Sequence, residues 1–423
     1  MVGAVHRPQL GLKPGMNLLY LVHRLPFPPN KGDKVRSYHL LKHLASTHRV
    51  FLGTFVDDAD DEQYVPTVEK WCADACFIRL NPKLSTLRSV TGFLTGEALG
   101  LRYYRSSQMK RWVEKTIEEK NIDAIVVFSS VMAQFLEHLP TPKIPPVLTD
   151  FVDVDSSKWT QYAQNRRGPV SWVYAREGVK LLAYEKNVAE KSFISIFATE
   201  NEAELFRKLA PESAKSVMAV DNGVDADFYS PSDDFVSPYP ARVTDSYSRV
   251  VAFTGAMDYW PNVDAVCWFV NEMMPRLRLQ SPGIRFFIVG RKPAPAVAAL
   301  SASDVFVTGT VDDVRPYIQY ADVIVAPLRV ARGIQNKVLE AMAMSRPVVA
   351  SKSCLSVIRA TDPTDFIGAE TPEEFVAAIL SVLSNAPQAA AMGEHARKTV
   401  LAQYSWEAQL SKIDFQLHKA AQS

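Results

Sequence analysis

Short apolar runs alternate with helix-like segments along this chain, and the pattern occurs twice. In the first half the runs lie at residues 18–22, 50–55, 76–78, 124–128, 147–148 and 194–198. In the second half they lie at residues 250–254, 286–289, 305–307, 323–326 and 348–350. Apolar strands this short, separated by helices, are typical of parallel sheets covered by helices on both faces. The sequence therefore predicts an α/β protein with two doubly wound sheets.

The chain length and one polar stretch suggest where the two halves divide. A chain of 423 residues is too long for one core and suits two domains. Residues 230–248 are rich in Pro, Asp and Ser and interrupt the alternation, as expected of a linker. We expect an N-terminal domain over residues 16–235, a C-terminal domain over residues 249–404, and a closing amphipathic helix over residues 405–420.

Composition excludes several classes of protein. The formal net charge is +1, so no strongly basic surface for nucleic acid is expected. No apolar stretch approaches the roughly 18 residues of a membrane helix. The four cysteines are scattered without a CxxC pair, which favours a reducing cytoplasm over a metal or disulfide framework. We expect a cytoplasmic protein without a bound metal or cofactor.

The loop after the first strand is a candidate binding loop, because ligands of doubly wound sheets bind in loops that follow strands. It contains Lys31, Gly32 and Asp33, and Arg36 lies one turn into the following helix. Gly32 lets the backbone approach a ligand, and the helix N-terminus suits an anionic group. A Pro-rich turn with Asp33 as helix cap is the alternative.

Three carboxylates follow another predicted strand, at Asp150, Asp153 and Asp155. Carboxylates in this position can contact sugar hydroxyls, and the spacing of the last two also resembles a metal-binding DxD. The alternative is a capped helix start, with Asp155 or Ser156 as the cap.

A third candidate segment follows the strand that ends at residue 326. It contains, in order, Arg332, Gly333, Asn336, Lys337 and Glu340. With a helix beginning near residue 334, the last three side chains share one face close to its N-terminus. Arg332 and Lys337 can meet phosphates, and Glu340 can accept hydrogen bonds from a ribose diol. An ordinary solvated ion pair is the alternative.

Four motifs together resemble the retaining GT-B glycosyltransferases of the group 1 family, and they occur in the family's order. They are Asp221-Asn-Gly-Val-Asp225, Phe253-Thr-Gly255, Val311-Asp-Asp-Val314 before Tyr320-Ala-Asp-Val-Ile-Val-Ala-Pro327, and Lys337-Val-Leu-Glu340-Ala-Met-Ala. Asn222-Gly223 also has the composition of a turn that needs positive φ. The resemblance extends from residue 16 to about residue 418.

This resemblance implies two Rossmann-like domains facing across a cleft. A nucleotide-diphosphate sugar would bind the C-terminal domain, and a carbohydrate or lipid-linked acceptor would bind the N-terminal domain. The closing helix would cross back onto the first domain. The implied reaction transfers a sugar with retention and without a metal.

Three longer segments resemble a narrower group, the sugar transferases associated with PEP-CTERM/exosortase exopolysaccharide loci. They cover residues 20–36, 153–159 and 253–264. The implied role is exopolysaccharide or cell-surface glycan synthesis.

The sequence departs from the family at two places. The family often has two Glu with seven residues between them; Glu340 matches the second, but Arg332 stands at the first. Backbone near Gly333 is the expected substitute. The usual Arg and Lys phosphate clamp after Gly255 is also absent, and Arg291, Arg332 and Lys337 are the candidates to replace it. Asp153 is the best match to the catalytic group.

Two alternatives to a transferase remain. A GT-B nucleotide-sugar 2-epimerase would need no acceptor, and Asp153 would move its proton. Arg332 in place of Glu keeps open a non-catalytic nucleotide-sugar-binding protein. A dinucleotide oxidoreductase is disfavoured, because no GxGxxG follows either opening strand.

Residues 79–120 carry many cations with aromatic residues among them. The cations are Arg79, Lys83, Arg88, Arg102, Arg105, Lys110, Arg111, Lys115 and Lys120, and the aromatics are Phe93, Tyr103, Tyr104 and Trp112. This combination predicts peripheral contact with an anionic membrane surface or a lipid-linked acceptor. A solvated helical face is the alternative.

Overall fold

The computed structural model divides the chain into two compact units. It describes residues 15–29, 32–137, 139, 144–164, 168–240, 248–329, 334–356, 358, 360 and 363–422. Residues 1–222 and 409–423 form the first unit, and residues 223–408 form the second. The division therefore falls at Asn222 and Gly223, ahead of the polar stretch that suggested a linker.

The first unit is built on a parallel sheet. Its described residues form seven strands: β1 (Asn17–Val22), β2 (Arg49–Val56), β3 (Asp74–Arg79), β4 (Ala124–Phe128), β5 (Val147–Val152), β6 (Ile194–Phe197) and β7 (Val217–Ala219). Their order is β3-β2-β1-β4-β5-β6-β7, and every pairing is parallel. The central strands are buried on both faces, which explains their continuous apolar sequence.

Helices cover both faces of this sheet. They are α1 (Gly32–Thr47), α2 (Val65–Glu69), α3 (Pro82–Ser89), α4 (Gly92–Thr95), α5 (Leu99–Tyr104), α6 (Ser107–Glu119), α7 (Asp155–Gln164), α8 (Pro169–Lys191) and α9 (Glu200–Leu209). Short 3-10 helices occur at Ala59–Tyr64, Ser130–Phe135 and Pro211–Ser216.

The second unit repeats this plan. Among its described residues are six parallel strands: β8 (Arg249–Thr254), β9 (Ile284–Val289), β10 (Val305–Gly309), β11 (Val323–Ala326), β12 (Val348–Ser351) and β13 (Ile367–Ala369). Their order is β10-β9-β8-β11-β12-β13. The helices are α10 (Trp260–Trp268), α11 (Met274–Gln280), α12 (Pro295–Ala298), α13 (Arg315–Gln319), α14 (Asn336–Ala343), α15 (Lys352–Leu355), α16 (Pro372–Ser384) and α17 (Ala386–Gln403). The last helix, α18 (Trp406–Ala420), has only its first residues in this unit.

The predicted α/β class and the two parallel sheets are confirmed. In the second unit, a π-helical turn at Phe269–Met273 separates α10 from α11. Pro275 lies in the first turn of α11. Proline has no N–H to donate to the preceding turn, so the chain widens there and restarts.

Helix α18 begins in the second unit, and its residues from Gln409 onward belong to the first. Within the first unit, Asp414 of α18 lies 2.7 Å from the His43 ring nitrogen of α1. Within the second unit, a Cβ on Gly223 would lie 2.6 Å from the Trp406 backbone. Gly223 is therefore required by close approach of two backbone segments, and positive φ, the reason inferred from the sequence, is not found there.

In the described ranges, no single helix has the length and apolar composition needed to cross a bilayer. Helices α16 and α17 meet that criterion only when taken together, and they are bent by 105° relative to each other.

Candidate functional site

Both sheets have a switch point at the corresponding place. In each, the first strand lies between the second and the fourth, so β1 pairs with β4 and β8 pairs with β11. The connections leave on opposite sides of the sheet at this point, and ligands of such sheets bind at the carboxyl ends of these strands.

Two glycines lie at the carboxyl end of the second sheet. Gly255 follows β8 and Gly290 follows β9. A Cβ on Gly290 would lie 1.6 Å from the Gly255 carbonyl oxygen, and one on Gly255 would lie 2.8 Å from the Asn262 side-chain nitrogen. These contacts leave no room for side chains, so the backbone itself forms this part of the surface.

Lys337 lies against this glycine surface. Its Nζ donates a 2.6 Å hydrogen bond to Oδ1 of Asn262 and lies 4.8 Å from the ring centre of Phe253. Burial lowers the pKa of Lys337 to about 8, although Glu340 and Cys354 oppose this shift. A partly buried ammonium beside bare backbone is suited to receive an anionic group.

Glu340 lies one turn further along α14. It is partly buried, and its carboxylate accepts a hydrogen bond from the hydroxyl of Tyr229. Burial raises the pKa of Glu340 to about 7, while Lys337 and Tyr229 act in the opposite direction. A carboxylate has acceptor capacity beyond one hydroxyl, so Glu340 can still receive a ligand's hydroxyl groups.

The N-terminus of α14 completes the group. The helix begins at Asn336, two residues later than the predicted start, and the Asn336 side chain is exposed. Gln335 is the N-cap residue, but its side chain accepts no hydrogen bond from the first turn. First-turn N–H groups that are not capped by a side chain can bind an anion.

Two of the predicted donor residues, Arg332 and Gly333, lie outside the described residues. Arg291 is described: it follows Gly290, its side chain is exposed, and its carbonyl accepts a 2.9 Å hydrogen bond from the backbone N–H of Met257. This bond brings Arg291 beside the loop that follows β8. The structure therefore brings Gly255, Arg291, Asn336, Lys337 and Glu340 to one end of the second sheet.

Arg36 of the first unit lies inside the protein. Its Nε donates to Asp150 at 2.8 Å, and Nη1 donates to the Val220 carbonyl at 2.8 Å and to Asn222 at 3.0 Å. Arg36 and Asp150 are each about 1% exposed. These contacts give Arg36 a structural role, in which it ties α1 to β5 and to the chain after β7.

The other predicted residues of this loop lie wholly or partly outside the described part of the chain. Lys31 lies outside the described residues. The helix α1 begins at Gly32 and includes Asp33, but the side chain of Asp33 also falls outside the described part. The predicted ligand role of Lys31, Gly32 and Asp33 stays a prediction, whereas the Arg36 side chain is occupied by its buried contacts to Asp150, Val220 and Asn222.

Asp153 is held by a lysine. Nζ of Lys158 lies 2.7 Å from the Asp153 carboxylate and 3.0 Å from that of Asp155. The two carboxylates are 35% and 39% exposed, so both face solvent. Their charges raise the pKa of Lys158, against the effect of its burial.

A strained residue places Asp153 at the strand end. Val152 has φ of 69°, a value rarely adopted by a β-branched residue, and the register of β5 with β6 shifts between Asp150 and Val152. Ser129, at the end of β4, has φ of 71°. Strained backbone of this kind concentrates at functional sites, which supports a role for this end of the first sheet.

Sequence reasoning missed His23 at the same end. The residue follows β1, and its ring stacks on Phe128 with a 5.9 Å centroid distance and a 4° interplanar angle. Its position after an opening strand was the one available signal. Tyr229 and Asn262 were also missed, because they contact α14 from distant parts of the chain.

A pocket lined by aromatic residues opens in the first unit between α3, α5, α7 and α8. Its volume is about 280 Å³, and its lining includes Tyr103, Tyr104, Trp159 and Tyr174. Trp159 lies on α7, the helix that begins two residues after Asp153. Aromatic rings with few polar groups suit an apolar chain or the face of a sugar ring.

No group of three or more His, Cys, Asp or Glu side chains suited to hold a metal ion occurs among the described residues. In the Asp150, Asp153 and Asp155 group, Arg36 binds the first carboxylate and Lys158 binds the other two.

Comparison with known proteins agrees with this geometry. Residues 248–385 match the family of group 1 glycosyl transferases. The matched region contains the second sheet and its candidate donor residues. No curated protein matches the sequence significantly.

Several solved structures are similar to nearly the whole chain. HepE of Anabaena, in complex with UDP, has a TM-score of 0.64 and 14% identity, covering 96% of this chain and 100% of its own. Sucrose-phosphate synthase of Thermosynechococcus elongatus has a TM-score of 0.62 and 17% identity, with 96% and 100% coverage. WaaG, a glycosyltransferase involved in lipopolysaccharide biosynthesis, has a TM-score of 0.58 and 16% identity, with 94% and 99% coverage. These likenesses confirm the GT-B fold with two Rossmann-like domains.

Proposed function

We propose that this chain is a glycosyltransferase that transfers a hexosyl group from a nucleotide-diphosphate sugar to a carbohydrate or lipid-linked acceptor. The observation that carries the proposal is the position of Lys337 and Glu340, three residues apart on α14, with Lys337 held beside Gly255 inside the region that matches the group 1 family. One residue supplies a cation for phosphate, and the other supplies an acceptor for ribose hydroxyls.

The nucleotide would lie at the carboxyl end of the second sheet. Lys337, Arg291 and Arg332, with the N-terminus of α14, would stabilise the charge that develops on the leaving nucleoside diphosphate. The bond from the anomeric carbon to phosphate oxygen breaks and the bond to the acceptor oxygen forms, while the proton of the acceptor hydroxyl passes to the leaving diphosphate. Because HepE has been solved with UDP and with UDP-glucose, UDP-sugars are the first donors to test.

The first unit would bind the acceptor. Asp153 is the candidate catalytic group at its strand end, and Lys158 holds the carboxylate in position. The aromatic pocket near Trp159 provides an apolar surface for an acceptor. The family resemblance adds three further parts to this proposal. The sugar is transferred with retention at the anomeric carbon, the product is exopolysaccharide or cell-surface glycan, and the protein acts on the cytoplasmic side of the membrane.

A panel of nucleotide sugars tests the proposal. Purified protein would be incubated with UDP- and GDP-sugars, with and without mixed glycan acceptors, and the products followed by mass spectrometry and NMR. We expect acceptor-dependent release of nucleoside diphosphate and an anomeric configuration equal to that of the donor. Conversion of the donor to its 2-epimer without acceptor would contradict a transferase, and tight binding without turnover would favour a non-catalytic role.

A further inference from the structure

An apolar ridge lies on the outside of the first unit. It is formed by exposed apolar side chains of α3, α4, the short segment between them and the first half of α8. These are Leu84 and Leu87 on α3, Val90 between the helices, Leu94 on α4, and Trp172 and Val179 on α8. Their exposed fractions run from 53% at Val90 to 90% at Leu94. Single exposed apolar residues are common, whereas a contiguous group marks an interaction surface.

The two parts of the ridge are contiguous. Phe93 of α4 stacks on Trp172 of α8, with ring centres 5.9 Å apart and planes 10° apart. Arg176, one turn after Trp172, donates to the Gly92 carbonyl at 2.7 Å and lies over the Phe93 ring. Trp172 and Val179 are seven residues apart on α8, so they lie on the same side as Arg176.

The ridge is held outward by contacts on the inner side of α3. Ser85 of that helix is buried. Arg88 donates to the backbone carbonyls of Arg102 and Tyr103 at 3.0 and 2.8 Å, which fixes α3 on α5. Leu84 and Leu87, three residues apart on the same helix, are left 65% and 70% exposed.

The charge around the ridge is positive. Glu97, the one acidic residue within 79–105, is neutralised by Arg102 and Arg105. In the described part of the chain, Lys83 and Lys180 make no ion pair, and Lys180 lies beside Gly96 at the end of α4. Unpaired lysines beside apolar side chains complement an anionic lipid surface.

The rest of the segment 79–120 is ordinary protein surface. On α6, Lys110 pairs with Glu114 and Lys115 with Glu119, each four residues apart. Trp112 packs against the core. The sequence prediction of a membrane contact over the whole segment is therefore narrowed to α3 and α4, with α8 added.

We propose that the apolar ridge is a face that binds anionic membranes, with the leucines and Trp172 entering the boundary between headgroups and acyl chains. A second copy of this chain is a poorer occupant, because a symmetric contact would bring Lys83 and Lys180 of both copies together. The inference does not depend on the proposed transferase activity, since it rests on α3, α4 and α8 alone.

Vesicle cosedimentation of the full chain tests this face. Vesicles of phosphatidylcholine alone would be compared with vesicles that also contain phosphatidylglycerol. The variant Leu84→Gln/Leu87→Gln/Leu94→Gln removes the ridge, and Leu279→Gln/Leu401→Gln, at exposed leucines of α11 and α17, is the matched control. Lys83→Gln/Lys180→Gln tests the charge. All changes are at exposed positions, and thermal melting checks that each variant folds.

We expect binding to phosphatidylglycerol vesicles, reduced at least about tenfold by the ridge variant and unchanged by the control. The lysine variant should bind these vesicles no better than vesicles of phosphatidylcholine alone. Equal sedimentation of parent and ridge variant would overturn the proposal. Self-association that the ridge variant abolishes would also overturn it, in favour of a second copy. Nucleotide-sugar binding, measured without vesicles, reports separately on the proposed function.

Discussion

Lys337 donates a 2.6 Å hydrogen bond to the side-chain oxygen of Asn262, and this bond joins α14 to the start of α10. The Asn262 amide in turn donates to the Ala256 carbonyl at 2.9 Å. Asn262 is 5% exposed, so it forms a fixed bridge between the lysine and the loop that follows β8. The ammonium group is therefore held at the glycine surface before any ligand arrives, which reduces the ordering cost of binding.

The pH dependence of donor binding should report on Lys337 and Glu340. The pKa of Lys337 is lowered to about 8, so its charge is lost as pH rises through that value. The pKa of Glu340 is raised to about 7, so its charge is lost as pH falls through that value. We expect donor affinity to be highest between these values and to fall on both sides.

Calorimetric titration with a nucleotide sugar at a series of pH values checks this, because its diphosphate diester does not itself titrate in the range. In Lys337→Gln the alkaline limb should disappear, and in Glu340→Gln the acid limb should disappear. An unchanged profile in both variants would contradict the assignment.

Arg36 should matter for stability. Arg36→Met leaves the Asp150 carboxylate buried without its partner, which typically costs about 3–5 kcal/mol. The matched control is Arg278→Met, since Arg278 makes two hydrogen bonds to Asp304 but is 41% exposed. Exposed pairs contribute about 0–1 kcal/mol. Urea unfolding of both variants gives the comparison, and equal losses would show that the buried pair has no special structural role.

Asp153 and Asp155 offer a matched pair for the catalytic assignment. Both carboxylates bind Lys158, and both are about one third exposed. Each change to Asn therefore removes one contact to the same ammonium. If Asp153 is the catalytic group, Asp153→Asn should lower kcat by about a hundredfold or more with donor KM little changed, whereas Asp155→Asn should not. Equal effects on kcat would remove Asp153 from the catalytic role.

Chelation should leave the activity in place. Lys158 and Arg36 already supply positive charge to the three carboxylates, and the cations around α14 can stabilise the leaving phosphate. Turnover in excess EDTA should stay close to that of the untreated protein. Complete loss that one divalent ion restores would instead make Asp153 and Asp155 metal ligands.

Much of the second-unit site could be predicted from the sequence, because its signals are local. A strand end, a glycine and a helix with Lys337 and Glu340 three residues apart can all be recognised from spacing. The contacts of Asn262 and Tyr229 with α14 could not, since they join residues that are distant along the chain. The same limit applies to Arg36: its position suggested a ligand loop, but its partner Asp150 lies on a strand that only the fold brings near.

Val152 shows a different limit. Its positive φ coincides with the register shift between β5 and β6, and valine is a residue that normally avoids this conformation. Sequence patterns report preferred conformations, so a strained position that tertiary structure imposes leaves no signal in them.

Donor affinity in Glu340→Gln and Lys337→Ala tests the second-unit site most directly. The parent protein would first be titrated with UDP- and GDP-sugars, and the tightest donor would then be titrated into both variants. Losing a charged hydrogen bond to the ligand costs about 1.5–3 kcal/mol, so each variant should bind roughly ten- to a hundredfold more weakly. Glu340→Gln should melt close to the parent temperature, because glutamine can still accept the Tyr229 hydrogen bond. Donor binding by both variants as tight as that of the parent would contradict the site.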